Sequence, residues 1–545
     1  MKKKHLFTVL FTALVAVVNA QSNFGIDYFG MGEIQTAKTY FEKQVTQSPA
    51  ESNYYLGEIA FAEGKMDEAK TFYDKGIAAS PEYQLNYIGQ GKLLLKTNQK
   101  EAENLFATAL KKNKKNAEVN VAIARAYLEN GMKDAALLKI EVAKKYGKKS
   151  PFVYILEGDM LQADGKFGEA AGKYEQAIYF DPNCTIASIK CAQVYESINP
   201  NLSIEILKKV LVAHPDYTIA NKGLGRSYSL NGQYKDAIDA FKVYTVNGQL
   251  NLDDIIKFAT SYYYTEQYPQ SIELINEGMK IDSTNFVLNR FRMYNAAKTN
   301  DAVNGLAYAD YFFTLKSEKG FIPSDYTAYA TVLSLAGQFD KALGLYGEAL
   351  KVDPNNAALY KELFSVYNKM GDNAKASETY SKYIELIGPD NVTSYDYYQL
   401  GRSYYAAASA SKSDSSAIGK ALTNEYLVKA DTTFGIVCAL TPDSYLGYLY
   451  RGHTNAMRET DPSQGLGKPY YEAAINSILA KNKETGTTNN KKELILAYTY
   501  LGYYYYIISD KVNATKYWTL VLELDPTNAN AKLVLDEYSK PPKKK

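Results

Sequence analysis

Apolar positions recur three and four residues apart in short blocks, and polar or glycine-containing turns separate the blocks. Inside the blocks small residues return at near-constant intervals: Ala69, Ala102, Ala136, Ala170, Ala237, Ser271, Ala342 and Ala376. The gaps are 33, 34, 34, 67, 34, 71 and 34 residues, one or two turns of a single period. A ring stands four residues after most of them, at Tyr73, Phe106, Tyr174, Phe241, Tyr346 and Tyr380. Many blocks close on a proline, as at Pro81, Pro182, Pro354 and Pro526. No alternating period-two run bounded by hairpin turns competes, so the chain reads as all-α.

The half preceding each small residue often reads Leu-Gly-x-x-Tyr, as in Leu224-Gly225-x-x-Tyr228, Leu400-Gly401-x-x-Tyr404 and Leu501-Gly502-x-x-Tyr505. This period and these residue types resemble the tetratricopeptide repeat (TPR), over almost all of the chain beyond residue 20 and in a dozen or more units. The resemblance implies an α-solenoid, a right-handed superhelix of stacked TPR helix–turn–helix units. Packing logic agrees with it. Small residues let two helix axes approach, while Tyr, Leu and Phe at spacings of three and four fill the seam. Gly64, Gly131, Gly165, Gly232, Gly337 and Gly371 fall between paired helices, where a left-handed cap residue is required.

Irregular units predict the domain organisation. The interval from Ser271 to Ala342 is three residues too long for two periods, and Pro323 follows. A seam near 317–324 is therefore expected, dividing an N-terminal array over 21–320 from a C-terminal array over 321–545. The C-terminal array carries insertions near 406–425, 461–468 and 483–492, the first with a flexible-linker composition in its Ala406–Ser416 stretch. Residues 528–539 read as the solvating capping helix that a solenoid needs.

The first twenty residues read as an export signal. Lys2, Lys3 and Lys4 precede an apolar stretch from Leu6 to Val18, and Val18-Asn19-Ala20 supplies the small residues of a cleavage site after Ala20. No later stretch reaches 18 apolar residues, so no transmembrane segment is expected, and the location implied is periplasmic or cell-envelope. With 62 basic and 60 acidic residues there is no bulk charge to attract nucleic acid. Cys184 and Cys191 lie seven residues apart on one predicted helix, about 10 Å along its axis, too far for a disulfide. Free buried thiols are expected there and at Cys438.

Candidate chemistry is sparse. Three His and three Cys leave no metal site to propose, and no cofactor is expected. Gly465-Leu-Gly-Lys468 lacks the first glycine and the Ser or Thr of a phosphate loop, having Pro462 and Pro469 there. No catalytic residue is proposed. Recognition is better supplied. Only 7 of the 62 basic residues are Arg, and four precede a repeat tyrosine by two: Arg125, Arg226, Arg292 and Arg402. In TPR proteins this position of the first helix faces the concave surface, so the resemblance implies inward arginines, with Lys222 and Lys257 on the same face. An Arg fork suits carboxylates of a peptide. Among the 50 tyrosines, consecutive runs force one ring outward, and Tyr398, Tyr405, Tyr503 and Tyr506 are placed in the groove. His453, beside Arg451 and Tyr450, joins them.

Two functions follow as expectations. The first is a non-enzymatic protein–protein interaction scaffold or adaptor, binding a peptide or partner segment in an envelope complex. The second is a carbohydrate or small-ligand binding protein of the envelope, since tyrosine faces also stack on sugar rings. A lipoprotein of that kind would carry a cysteine where this chain has Gln21.

Overall fold

A computed structural model describes residues 24–540, apart from 113, 247 and 316–319. The predicted export signal and its cleavage site lie outside the described residues. Everything described is helix, turn or loop, and no strand occurs among the described residues. Helices alternate in antiparallel pairs joined by short turns, beginning with 24–30 and Ile34–Gln44 and ending with Lys491–Ile507 and Lys511–Leu524. The last described helix, Ala529–Ser539, starts at an Asn528 side-chain cap and packs on Lys511–Leu524.

The periodic positions perform the packing assigned to them. Ala69, Ala102, Ala136, Ala170, Ala237, Ala342 and Ala376 are wholly enclosed, and so are the rings of Tyr73, Tyr174, Phe241 and Tyr346. A Cβ on Gly225 would lie 2.8 Å from the Phe241 ring, which is why the Leu-Gly-x-x-Tyr motif cannot carry alanine there. The turn glycines act differently. A Cβ on Gly64 would meet nothing within 4 Å, but the φ of +77° at this residue belongs to the left-handed region.

The described contacts divide the chain into two units, Met1–Asn295 and Ala296–Lys545. The division falls inside the Phe286–Lys298 helix, ahead of the seam expected at 317–324, part of which lies outside the described residues. At the division Asn295 donates to the Ser271 hydroxyl at 3.1 Å in the first unit, whereas Ala296 lies beside Gly305 in the second.

The insertion near 406–425 also differs from its composition. Helix Ser394–Ser411 runs straight through Ala406–Ser411, and Ala417–Leu440 extends to 24 residues. Ala407 and Ala408 are buried against Tyr426 and Leu427, so the added length is packed helix with a five-residue turn between. Alanine is the best helix former once its neighbour offers a surface to cover. Cys184, Cys191 and Cys438 are buried free thiols, and burial pushes the first two up to about 11 and about 12. Among the described residues no helix is long and apolar enough to cross a membrane.

Candidate functional site

Within each unit the first helices of neighbouring pairs touch one another, as do Leu85–Leu94 and Ala117–Glu129, or Ser394–Ser411 and Tyr445–Arg458. First helices therefore gather on one face of each unit, and their residues form the candidate recognition face.

In the first unit this face is neutralised from within the chain. Lys92 lies between Glu58 at 2.7 Å and Glu129 at 3.0 Å. Arg125 donates to Asp159 at 3.2 Å, and Asp159 also takes Lys190 at 2.9 Å. Arg226 spans three carboxylates: Asp253 at 2.8 Å, Glu196 at 3.3 Å and Asp254 at 3.5 Å. Lys257 pairs with Asp253, and Lys222 pairs with Asp254 at 2.9 Å and with Glu33. Lys222 is only 5% exposed. The carboxylates were not singled out in the sequence, although Asn251-x-x-Asp254 is a legible helix cap, with both of its reciprocal bonds formed. Burial raises Glu196 to about 7, and the neighbouring Arg226 and Lys257 oppose that rise. Arg292 is half-buried on the Phe286–Lys298 helix.

The second unit is arranged differently. Tyr398, Arg402 and Tyr405 project from Ser394–Ser411, and Tyr450, Arg451 and His453 from Tyr445–Arg458. Their rings form a continuous rail. Tyr450 meets Tyr398 edge-on at 5.4 Å and Tyr405 at 6.1 Å, and His453 lies 5.4 Å from Tyr450 and 5.6 Å from Tyr471. Tyr500 extends the rail from Tyr471 at 4.5 Å. Arg451 is held by two bonds to Asp431, at 2.8 and 3.3 Å, and a third to the Tyr470 hydroxyl at 3.0 Å. Arg402 is exposed, stacks 5.7 Å over Tyr398, and makes no ion pair among the described residues. Burial drives His453 down to about 4, so the imidazole is neutral as it bonds the Tyr471 hydroxyl at 2.7 Å.

The remaining two candidates lie apart from the rail. Tyr503 is exposed, and Tyr506 donates to Glu537 of the terminal helix at 3.1 Å, against the Tyr538 ring. Asp431, Tyr470, Tyr471 and Tyr500 complete the site without having been marked in the sequence. Tyr470 and Tyr471 form one more consecutive run, which is the signal that could have found them.

Known proteins share these repeats. Tetratricopeptide-repeat family models match residues 23–83 and 333–388. Among solved structures, the C-terminal part of a TPR repeat-containing protein from Cytophaga hutchinsonii is 28% identical, with a TM-score of 0.42. That alignment covers 51% of this chain and 99% of the other. PilF of Pseudomonas aeruginosa is 15% identical at a TM-score of 0.33, over 38% of this chain and 96% of its own. The Cut9–Hcn1 structure from the APC/C aligns over 91% of this chain and 94% of its own, at 12% identity and a TM-score of 0.31. The chain carries tetratricopeptide repeats, a fold that typically serves as a non-enzymatic scaffold for protein interaction.

Proposed function

We propose that this protein is an envelope-located interaction scaffold that holds a peptide segment of a partner protein on the face formed by the first helices of its second unit. One observation carries the reading. Arg402 is an exposed cation without an ion-pair partner among the described residues, stacked on Tyr398 at the head of a rail of rings. A guanidinium over an aromatic face presents its fork to a carboxylate while the rings beside it accept an apolar or aromatic side chain. The periplasmic location rests on the Lys2–Ala20 signal pattern.

A glycan is the second ligand class for a tyrosine-lined face. Stacking a sugar needs open ring faces, and the near-perpendicular contacts of Tyr450 with Tyr398 and Tyr405 place ring edges against ring faces instead. This geometry favours the peptide. A photo-reactive residue at position 409, beside the rail, should capture a partner in native envelopes. Arg402→Ala should cut that capture about tenfold, the scale of one lost charge-assisted contact, with the helical spectrum unchanged. Unchanged capture, or glycan-array binding with no protein captured, would overturn the reading.

A further inference from the structure

In the first unit the face formed by the first helices is covered by residues 24–33 of the same chain. Helix 24–30 packs one side on its repeat partner Ile34–Gln44, where Gly25 approaches Tyr40 and Phe41. The opposite side lies on helices 158 to 190 residues further along. Phe24 packs on the Tyr217 ring at 4.8 Å. Asp27 accepts hydrogen bonds from the Tyr217 hydroxyl at 2.6 Å and from Thr185. The Tyr28 hydroxyl bonds Thr218 at 2.6 Å. Beyond the helix, Glu33 takes the Lys222 ammonium and the Tyr244 hydroxyl, the latter at 2.9 Å.

This segment has the marks of an imperfect occupant. Seven helical residues are too few to be stable without a surface to rest on. Asp27 is 3% exposed and no cation pairs with it among the described residues, so two hydroxyl donors stand in for a counter-charge. The loop at Met31–Glu33 leaves a cavity of about 190 Å³ unfilled, flanked by Gln193, Glu196, Lys222 and Arg226.

We infer that residues 24–33 are a displaceable internal ligand, and that the groove they cover accepts an acidic, aromatic helix from a partner. The chain's own contacts define that partner's pattern. An aromatic residue faces Tyr217, a carboxylate three residues on faces the Thr185 and Tyr217 hydroxyls, and a second carboxylate six further on reaches Lys222. A side chain larger than Met31 would fill the cavity that the internal segment leaves. This groove is separate from the Arg402 rail, so either can fail without the other.

The test uses a fluorescent peptide spanning residues 24–36, titrated into the full chain and into an Asp27→Asn/Glu33→Gln variant. The internal segment lowers the competent fraction of the parent, so loosening it should tighten peptide binding about tenfold or more. Lys222→Met added to that variant should abolish the gain. In the parent, saturating peptide should speed amide exchange over 24–30 while Thr218–Leu230 keeps its protection. Equal affinity in parent and variant, a gain that survives Lys222→Met, protection elsewhere, or no binding at all would overturn the inference. If the variant loses its cooperative helical melting, the exchange pattern of the parent decides alone.

Discussion

His453 illustrates how much a single side chain in the rail depends on its surroundings. Its ring is enclosed by Tyr405, Tyr450 and Tyr471, and burial lowers its pKa from 6.5 to about 4. The folded state thus holds the neutral imidazole, while the unfolded chain takes up a proton below about pH 6.5. Stability should therefore fall as pH drops from 6.5 towards 4, by up to about 3 kcal/mol, the worth of the displaced pKa. Trp518 is the chain's single tryptophan and is buried in the second unit, so its fluorescence reports this directly. The urea midpoint seen by Trp518 should decline between pH 7 and pH 4.5, and less steeply in His453→Gln. Equal declines in the two proteins would remove His453 as the cause. The arginines of this face were legible by their spacing ahead of tyrosine, but their state was not. Arg226 and Arg402 share the pentapeptide Leu-Gly-Arg-Ser-Tyr, yet one meets three carboxylates and the other makes no ion pair among the described residues. What separates them is set by neighbouring repeats: Asp253 and Asp254 lie 27 and 28 residues beyond Arg226, outside the motif.

At the scale of the element, the turn between paired helices is the most repeatable feature. Gly64, Gly131, Gly165, Gly232, Gly337 and Gly371 have φ between +74° and +77°, as their position in the period predicts. Glu266 and Ser509 occupy the same place with φ of +60° and +61°. A side chain costs about 1 kcal/mol or more in that region, and glycine does not. Ser509→Gly should raise the Trp518-reported urea stability by about 0.5–1 kcal/mol, and Glu266→Gly should slow exchange in Leu252–Tyr264 and Tyr268–Ile281. No gain at either site would mean the turn is relaxed as it stands. Helix boundaries followed from such local signals. The Ala406–Ser411 extension did not, because serine and alanine read as linker until Tyr426 and Leu427 cover them.

For the whole molecule, repeat packing makes stability a sum of neighbour terms within each unit. Tyr73 is fully enclosed and donates to Glu58 at 2.7 Å. Tyr73→Ala should destabilise its surroundings by about 3–5 kcal/mol, the usual cost of emptying a large aromatic site. Exchange should accelerate over Pro49–Ala62 and Met66–Ala79, while the Trp518 transition in the other unit stays in place. A matching shift in the Trp518 transition would show that the units melt as one. The repeat architecture was visible in the chain from its period alone, because each unit is specified by residues within a few tens of positions.

The bond between Tyr28 and Thr218 joins positions 190 residues apart. A growing polypeptide makes helix 24–30 long before the surface that receives it has been synthesised. Loop-closure entropy opposes that meeting only weakly, since each doubling of the intervening length adds about 0.6 kcal/mol. Order of assembly is the greater constraint: the intervening repeats must stack and bend before their opening residues have anywhere to settle. In a molecule otherwise built from local contacts, residues 24–33 are made early and are among the last to find their place.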